Sequence, residues 1–347
     1  MPQTPATISR RKPFYPVGPE LEAYLQDHRR LQRLPLLYEQ LRGFRDLYPL
    51  FDRDGTDTLW KTAVYDPVDR TDLHRALTGI YALLKGGTAK VVHHLDIERV
   101  DYCQFGNSRP FRIRVVNRFN DNYDHFHIKV ADASRVYGLE LEHMLSPNRI
   151  NYLLHDGTLI EEHIVGIPGD VFIGAHFERP ETNLVRLAKE FVKFNERCFT
   201  RLLGDMRSYN YVIDITPDFE DIQYRVRAID FDQQSYEGGK KIYLPQFFKE
   251  NAPVVQLCTR LLNYPAMQQY QQEERSLIQR RLHASQPRFN HLMRCLKHDR
   301  CAPDEHVEQL RTELAEFHED PAFGDCADMS DLIQRNIEVT LAKLGAG

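Results

Sequence analysis

Asp205 and Asn210, five positions apart in Gly204-Asp205-Met206-Arg207-Ser208-Tyr209-Asn210, are followed twenty positions later by Asp230 in Ile229-Asp230-Phe231-Asp232. An acid, an amide and a second acid in this order suit phosphoryl transfer. A hydroxyl nucleophile wants a carboxylate to orient it and take its proton, and Mg²⁺ bridging nucleotide phosphates wants hard oxygen ligands. Asp205 fits the first role, and Asn210 and Asp230 fit the second. Asp232 reads either as a further metal ligand or as a polar loop cap.

The surrounding pattern predicts the elements that place these side chains. Leu184, Leu187, Ala188, Phe191, Cys198 and Leu202 recur at the spacing of one buried helix face, so Asp205 follows a core helix in a short loop. Tyr209 to Ile215 is β-branched and aromatic, Thr216-Pro217-Asp218 reads as a turn, and Gln223 to Phe231 alternates as a partner strand. Asn210 then opens one strand of a hairpin and Asp230 closes the other, which brings them together.

The whole chain sets bounds on this reading. A length of 347 residues favours two or three structural units. With 50 acidic and 45 basic side chains the net charge is −5, so no global basic field points to nucleic acid. Six scattered cysteines without a CxxC pair fit a reducing cytoplasm, and no apolar run is long enough to span a bilayer. Arg10, Arg11 and Lys12 are followed by prolines, not by the apolar stretch of a secretory signal. Oligomeric state is not legible.

Helical stripes at Leu21–Leu31 and Leu73–Leu84, the second closed by Gly86-Gly87, predict a helical N-terminal extension over residues 1–90. From residue 91 the pattern turns to strands. Phe111, Ile113 and Val115 alternate with Arg112 and Arg114, and Phe126, Ile128 and Val130 alternate with His125, His127 and Lys129. A helix over Ala133–Leu145 and two further strands either side of His155-Asp156-Gly157 complete a unit of antiparallel sheet plus one helix, residues 91–166. Residues 167–347 read as mostly helical, with breaks near Pro287 and Pro303.

Taken together, these features resemble the protein-kinase-like superfamily, nearest the small-molecule branch of aminoglycoside phosphotransferases, choline kinases and fructosamine kinases, over roughly residues 96–245. The resemblance implies an α+β, bilobal fold with the helical N-terminal extension, ATP and Mg²⁺ as cofactors, and a hydroxyl acceptor, a small molecule in preference to a protein. It implies Asp205 as catalytic base, with Arg207 beside it as a charge clamp, and Asn210 and Asp230 as metal ligands. Lys129 looks like the strand lysine that pairs with nucleotide phosphates, and Glu140, with Glu142 as competitor, like the helix glutamate that holds it. Leu159–Val165, including Glu162 and Ile164, is similar to the hinge that receives adenine, and Gly106 in Gly106-Asn107-Ser108 stands for the nucleotide-covering loop.

The chain departs from that pattern at Leu203, where the family has His, at Asp232, where protein kinases have Gly, in its sparse glycine loop, and in lacking Ala-Pro-Glu after Asp230. These departures leave a nucleotide-binding pseudokinase, and a kinase-fold enzyme that modifies protein by phosphoryl or nucleotidyl transfer, as rivals. His93-His94 and the His125/His127 pair read as polar residues on open faces before they read as metal ligands, and Gly238-Gly239-Lys240-Lys241 as a basic loop.

Overall fold

Period-two alternation and 3.6-residue stripes separate into the elements they encode, seen in a computed structural model that describes residues 12–52, 54–87, 93–105, 108–217 and 222–345. The chain begins with α1 (Pro19–Asp27), α2 (Tyr38–Leu41), β1 (Asp46–Phe51), β2 (Asp57–Val64) and α3 (Pro67–Leu84). It continues through β3 (Leu95–Cys103), β4 (Phe111–Asn117), β5 (Tyr123–Val130), α4 (Ala133–Leu145), β6 (Tyr152–His155) and β7 (Thr158–Glu162). After these come β8 (Ile167–Pro168), α5 (Gly169–Ala175), α6 (Leu184–Thr200), β9 (Tyr211–Pro217) and β10 (Ile222–Ala228). Helices α7 (Ala252–Leu261), α8 (Tyr264–Asp299), α9 (Asp304–His318) and α10 (Met329–Ala342) close the chain. The protein is therefore a mixed α+β chain. Among the described residues no helix is long and apolar enough to cross a membrane.

The chain divides into two compact units. The sheet unit gathers the described residues up to Val17, Gln26–Asp132 and Asn151–His163; the helical unit gathers Gly18–Leu25, Ala133–Ile150 and the chain from Ile164 onward. In the sheet unit, seven strands pair antiparallel in the order β1-β2-β3-β4-β5-β7-β6. Ile113, Phe126, Ile128 and Ile160 share a core with Leu73, Leu77, Ile80 and Leu84 of α3, so α3 covers one sheet face. On β5 the residues between the apolar ones are His125, His127 and Lys129, which alternation sends to the other face.

Residues 46–64 differ from the helical extension expected over 1–90. They form the β1–β2 hairpin, with Asp46 opposite Val64, and join the sheet through Trp60 opposite Cys103. The turn carries the signal that helical periodicity obscured. Asp52 accepts bonds from the Asp54 and Thr56 amides at 2.9 and 2.8 Å, and Gly55 takes a left-handed φ of 79°, the chemistry of an Asp-Gly hairpin.

In the helical unit, Asn183 caps α6 by accepting from the Arg186 amide at 3.2 Å. α6 packs on α7, α8 and β10, and α4 packs on α8. α8 is one long helix interrupted at Ser285, whose φ of −122° is non-helical, two residues before Pro287. A proline ring inside a helix removes one amide donor and crowds the preceding turn, which accounts for the kink. All six cysteines are free thiols, five of them buried.

The close approach of α4 to the segment after β10 depends on Gly138. A Cβ there would lie 2.8 Å from Phe231 Cβ and 3.2 Å from Gln234 Cβ, inside contact distance of atoms that cannot swing away. Gly138→Ala is expected to lower the urea midpoint by the equivalent of about 1–3 kcal/mol despite alanine's better helix propensity. A midpoint equal to or above that of the parent would refute this packing constraint.

Candidate active site

The loop that carries Asp205 begins where α6 stops. Leu202 adopts a left-handed φ of 56°, and the chain turns back along residues 233–235. Gly204 N–H donates to Gln233 C=O at 3.1 Å, Ser235 N–H to Leu202 C=O at 2.9 Å, and the buried Gln234 amide to Arg201 C=O at 2.6 Å. Leu203, where a histidine was expected by resemblance, is fully buried and forms an antiparallel bridge with Gln234. Two main-chain bonds and the Gln234 side chain thus fix this loop.

Asp205 itself has a φ of 57°, an uncommon conformation for a residue with a side chain, tolerated best by Asn, Asp and Gly. Its carbonyl accepts from Asn210 Nδ2 at 2.7 Å, and its amide donates to Ile242 C=O at 3.0 Å. Its carboxylate takes Arg207 Nε at 2.8 Å, and Arg207 also reaches Glu250 at 2.9 Å. Burial pushes the Asp205 carboxyl above the usual carboxylate range, against the opposing pull of Arg207. Beneath the loop, fully buried Asn251 donates to Met206 C=O at 2.9 Å and Pro245 C=O at 2.7 Å while accepting from Tyr211 OH at 2.9 Å.

Asn210 ties this loop to the second acid. It immediately precedes β9, and its carbonyl accepts from Ile229 N–H at 3.0 Å, next to Asp230. β9 and β10 pair in register from Tyr211 opposite Ala228. Asp230 and Asp232 converge on Arg135 of α4, whose Nη1 lies 2.9 Å from an oxygen of each. Arg135 is 2% exposed. Its second nitrogen, Nη2, donates to Ile229 C=O at 3.2 Å. Asp205, Arg207, Asn210 and Asp230 therefore form one cluster within the helical unit. Hard oxygens of Asn210 and Asp230 suit a Mg²⁺ ion, because the Asn210 amide nitrogen is committed to Asp205 and its oxygen is the end left for a cation.

Lys129, in the sheet unit, is 8% exposed, which removes the reading of a solvated strand lysine, and its Nζ lies 2.6 Å from Glu161 on β7. Glu140, in the helical unit, is fully buried and accepts from Tyr24 OH at 2.5 Å and from Arg288 Nε at 3.0 Å. Glu142 pairs with Arg201. Glu162 ends β7, its carboxylate accepting from the Asn151 amide at 2.7 Å and its own N–H donating to Asn151 C=O at 3.0 Å. Ile164 is buried in the helical unit, and Gly106 lies outside the described residues. His125, His127 and His163 cluster by ring contact, and burial holds all three imidazoles below their usual range. Among the described residues no group of three or more His, Cys, Asp or Glu side chains is arranged to hold a metal ion.

Sequence reasoning missed Arg135, Asn251 and Glu161. Arg135 had a legible signal, the one Arg or Lys in the helix of residues 133–145. Asn251 had none, since Asn before Ala-Pro reads as an ordinary helix start. No family model matches the chain, and no curated protein matches it.

Removing one partner from a mostly buried ion pair strands the other charge. Arg135→Met is expected to cost on the order of 2–3 kcal/mol in unfolding free energy, with Asp232→Asn in the same background costing less than it does alone. A double-mutant cycle giving coupling of about 1 kcal/mol or more supports the clamp. Strictly additive losses would remove it.

Proposed function

We propose that the protein is an ATP- and Mg²⁺-dependent phosphotransferase of bilobal, protein-kinase-like fold that passes the γ-phosphoryl group to a hydroxyl of a small-molecule acceptor. In this reading the sheet unit is the small lobe and the helical unit the large lobe. The observation that carries it is the clasp made by Asn210, which binds the backbone of Asp205 on one side and adjoins Asp230 on the other. The antiparallel order β3-β4-β5-β7-β6, with α4 between β5 and β6 in sequence, supports the expectation of an antiparallel sheet plus one helix. The buried Lys129 adds a cation for nucleotide phosphates.

Asp205 orients the acceptor hydroxyl and takes its proton as the new oxygen–phosphorus bond forms and the β–γ bridging bond breaks. Its raised carboxyl makes it a stronger base than a solvated aspartate. Arg207 holds that carboxylate in place and offers its remaining N–H donors to the transferring group. Asn210 and Asp230 would hold Mg²⁺, which when bound neutralises charge on the nucleotide phosphates. Lys129 takes the role that the resemblance implies for it, pairing with nucleotide phosphates.

A second reading, a nucleotide-binding protein without turnover, is favoured by one observation. Both acids already carry a guanidinium, Asp205 that of Arg207 and Asp230 that of Arg135. Turnover decides between them. For a transferase, Asp205→Asn lowers the rate of transfer, or of slow ATP hydrolysis with water as acceptor, about a hundredfold or more at nearly unchanged Mg·ATP affinity. Wild-type protein that binds Mg·ATP but shows no rate above this variant would establish the second reading, and absence of nucleotide binding would defeat both.

The pH profile supplies a further check. A general base works deprotonated, so the rate rises with pH through the Asp205 titration. Removing the guanidinium in Arg207→Met withdraws the interaction that opposes burial, so the acid limb should move to higher pH. An acid limb that stays in place in Arg207→Met would detach Asp205 from the titration.

A further inference from the structure

A concavity of about 580 Å³ lies in the helical unit, between α6, α8 and β10. This volume falls in the range of small-molecule sites. Asp205, Arg207, Asn210 and Asp230 are not among its lining residues, so the cavity is distinct from the cluster described above. Its α6 wall consists of Arg186, Lys189, Glu190, Lys193 and Arg197, one helix face turned charged where a surface helix normally meets open water.

The charges have an ordered layout. On the floor, Arg197 Nη1 pairs with Glu274 at 3.0 Å, both side chains being more than nine-tenths buried. The other Glu274 oxygen, Oε1, has no hydrogen-bond partner among the described residues, a costly state for a buried acceptor. Glu190 is half-buried beside it, and burial raises its carboxyl above the usual range. On the walls, Lys193 is matched by Glu273 at 2.9 Å. Lys189 and Arg225 have no ion-pair partner among the described residues; Lys189 lies 5.0 Å from the centroid of the Tyr270 ring. Five cationic side chains thus line the cavity against three carboxyls.

We propose that this cavity binds an anionic sugar, its acid group on Lys189 and Arg225 and its hydroxyls on Glu190 and Glu274. The excess of cations selects an anion, and unmatched acceptors on the floor call for neutral donors. Hydroxyls fit better than an ammonium group, because a carboxyl that burial drives toward its neutral form is a poor counter-ion but still a good hydrogen-bond partner. The Tyr270 ring at the cavity side provides the apolar patch against which a sugar ring packs. This site is independent of the phosphotransfer chemistry.

Calorimetric titration of the full chain with glucose 6-phosphate, glucuronate, glucose and inorganic phosphate, without Mg²⁺ or nucleotide, tests the proposal. Saturable binding of glucose 6-phosphate or glucuronate is expected, with phosphate alone and glucose alone each weaker by at least about tenfold. Which of the two acids binds more tightly identifies a phosphate or a carboxylate source. Lys189→Gln/Arg225→Gln should weaken that binding at least about tenfold, and Glu190→Gln, which keeps an acceptor oxygen, less than about threefold. Circular dichroism establishes that the variants fold; should the double variant not fold, Arg225→Gln, at an exposed position of β10, carries the same test with a smaller loss. No saturable binding of either sugar acid to the wild-type protein, binding unmoved by loss of the cations, or phosphate binding as tightly as its sugar ester would each overturn the proposal.

Discussion

Two left-handed residues within four positions, Leu202 and Asp205, are a conformation that the chain does not hold unaided. The antiparallel clasp between residues 202–204 and 233–235 holds it, and the rest of the site hangs on that clasp. It fixes where α6 ends, aims the Asp205 side chain, and sets Asn210 against the end of β10. Gln234 and Asn251 bind the loop from within, donating buried side-chain amides to the carbonyls of Arg201 and Met206, where each bond is worth more than at the surface.

Around this clasp the helical unit buries an unusual number of charges in pairs. Arg135 serves Asp230 and Asp232, Arg288 serves Glu140, Arg201 serves Glu142, and Arg197 serves Glu274. Buried pairs seldom raise stability over apolar replacements, since desolvation offsets most of their attraction. What they do here is fix orientation. α4 contributes Arg135, Glu140 and Glu142 from a single helix, and each finds its partner only if α4 sits in one rotation and one register against α8 and the loops. Gly138 enforces the same register sterically, so charge and shape agree on one placement.

The elements nearest the site were legible because their periodicity is uninterrupted. α4 was expected over the residues it occupies, α6 within two residues at each end, and the β9–β10 hairpin from its Thr-Pro-Asp turn. The β1–β2 hairpin was obscured because Pro49 breaks the alternation of β1, and an edge strand need not bury a full face. The partners Glu161 and Arg288 were not legible. Glu161 beside Lys129, and Arg288 beside Glu140, are separated from those residues by 32 and 148 positions, and long-range pairing of charges leaves no trace in local spacing. The cavity lined by Lys189 and Glu274 was hidden for a related reason. A charged helix stripe reads as a solvated surface until another helix is found facing it.

The left-handed backbone at Asp205 bears also on how this chain can drift over generations. The residue types that such a conformation accommodates most readily are glycine, asparagine and aspartate. Selection for folding alone therefore discriminates weakly among these three, although only one of them is an acid. Elsewhere in the helical unit, at Gly138 or Asn251, a change that damages function also damages the fold and is purged on both counts. At 205 the two pressures are uncoupled, and lineages released from the demand for chemistry would retain the architecture with a different residue there.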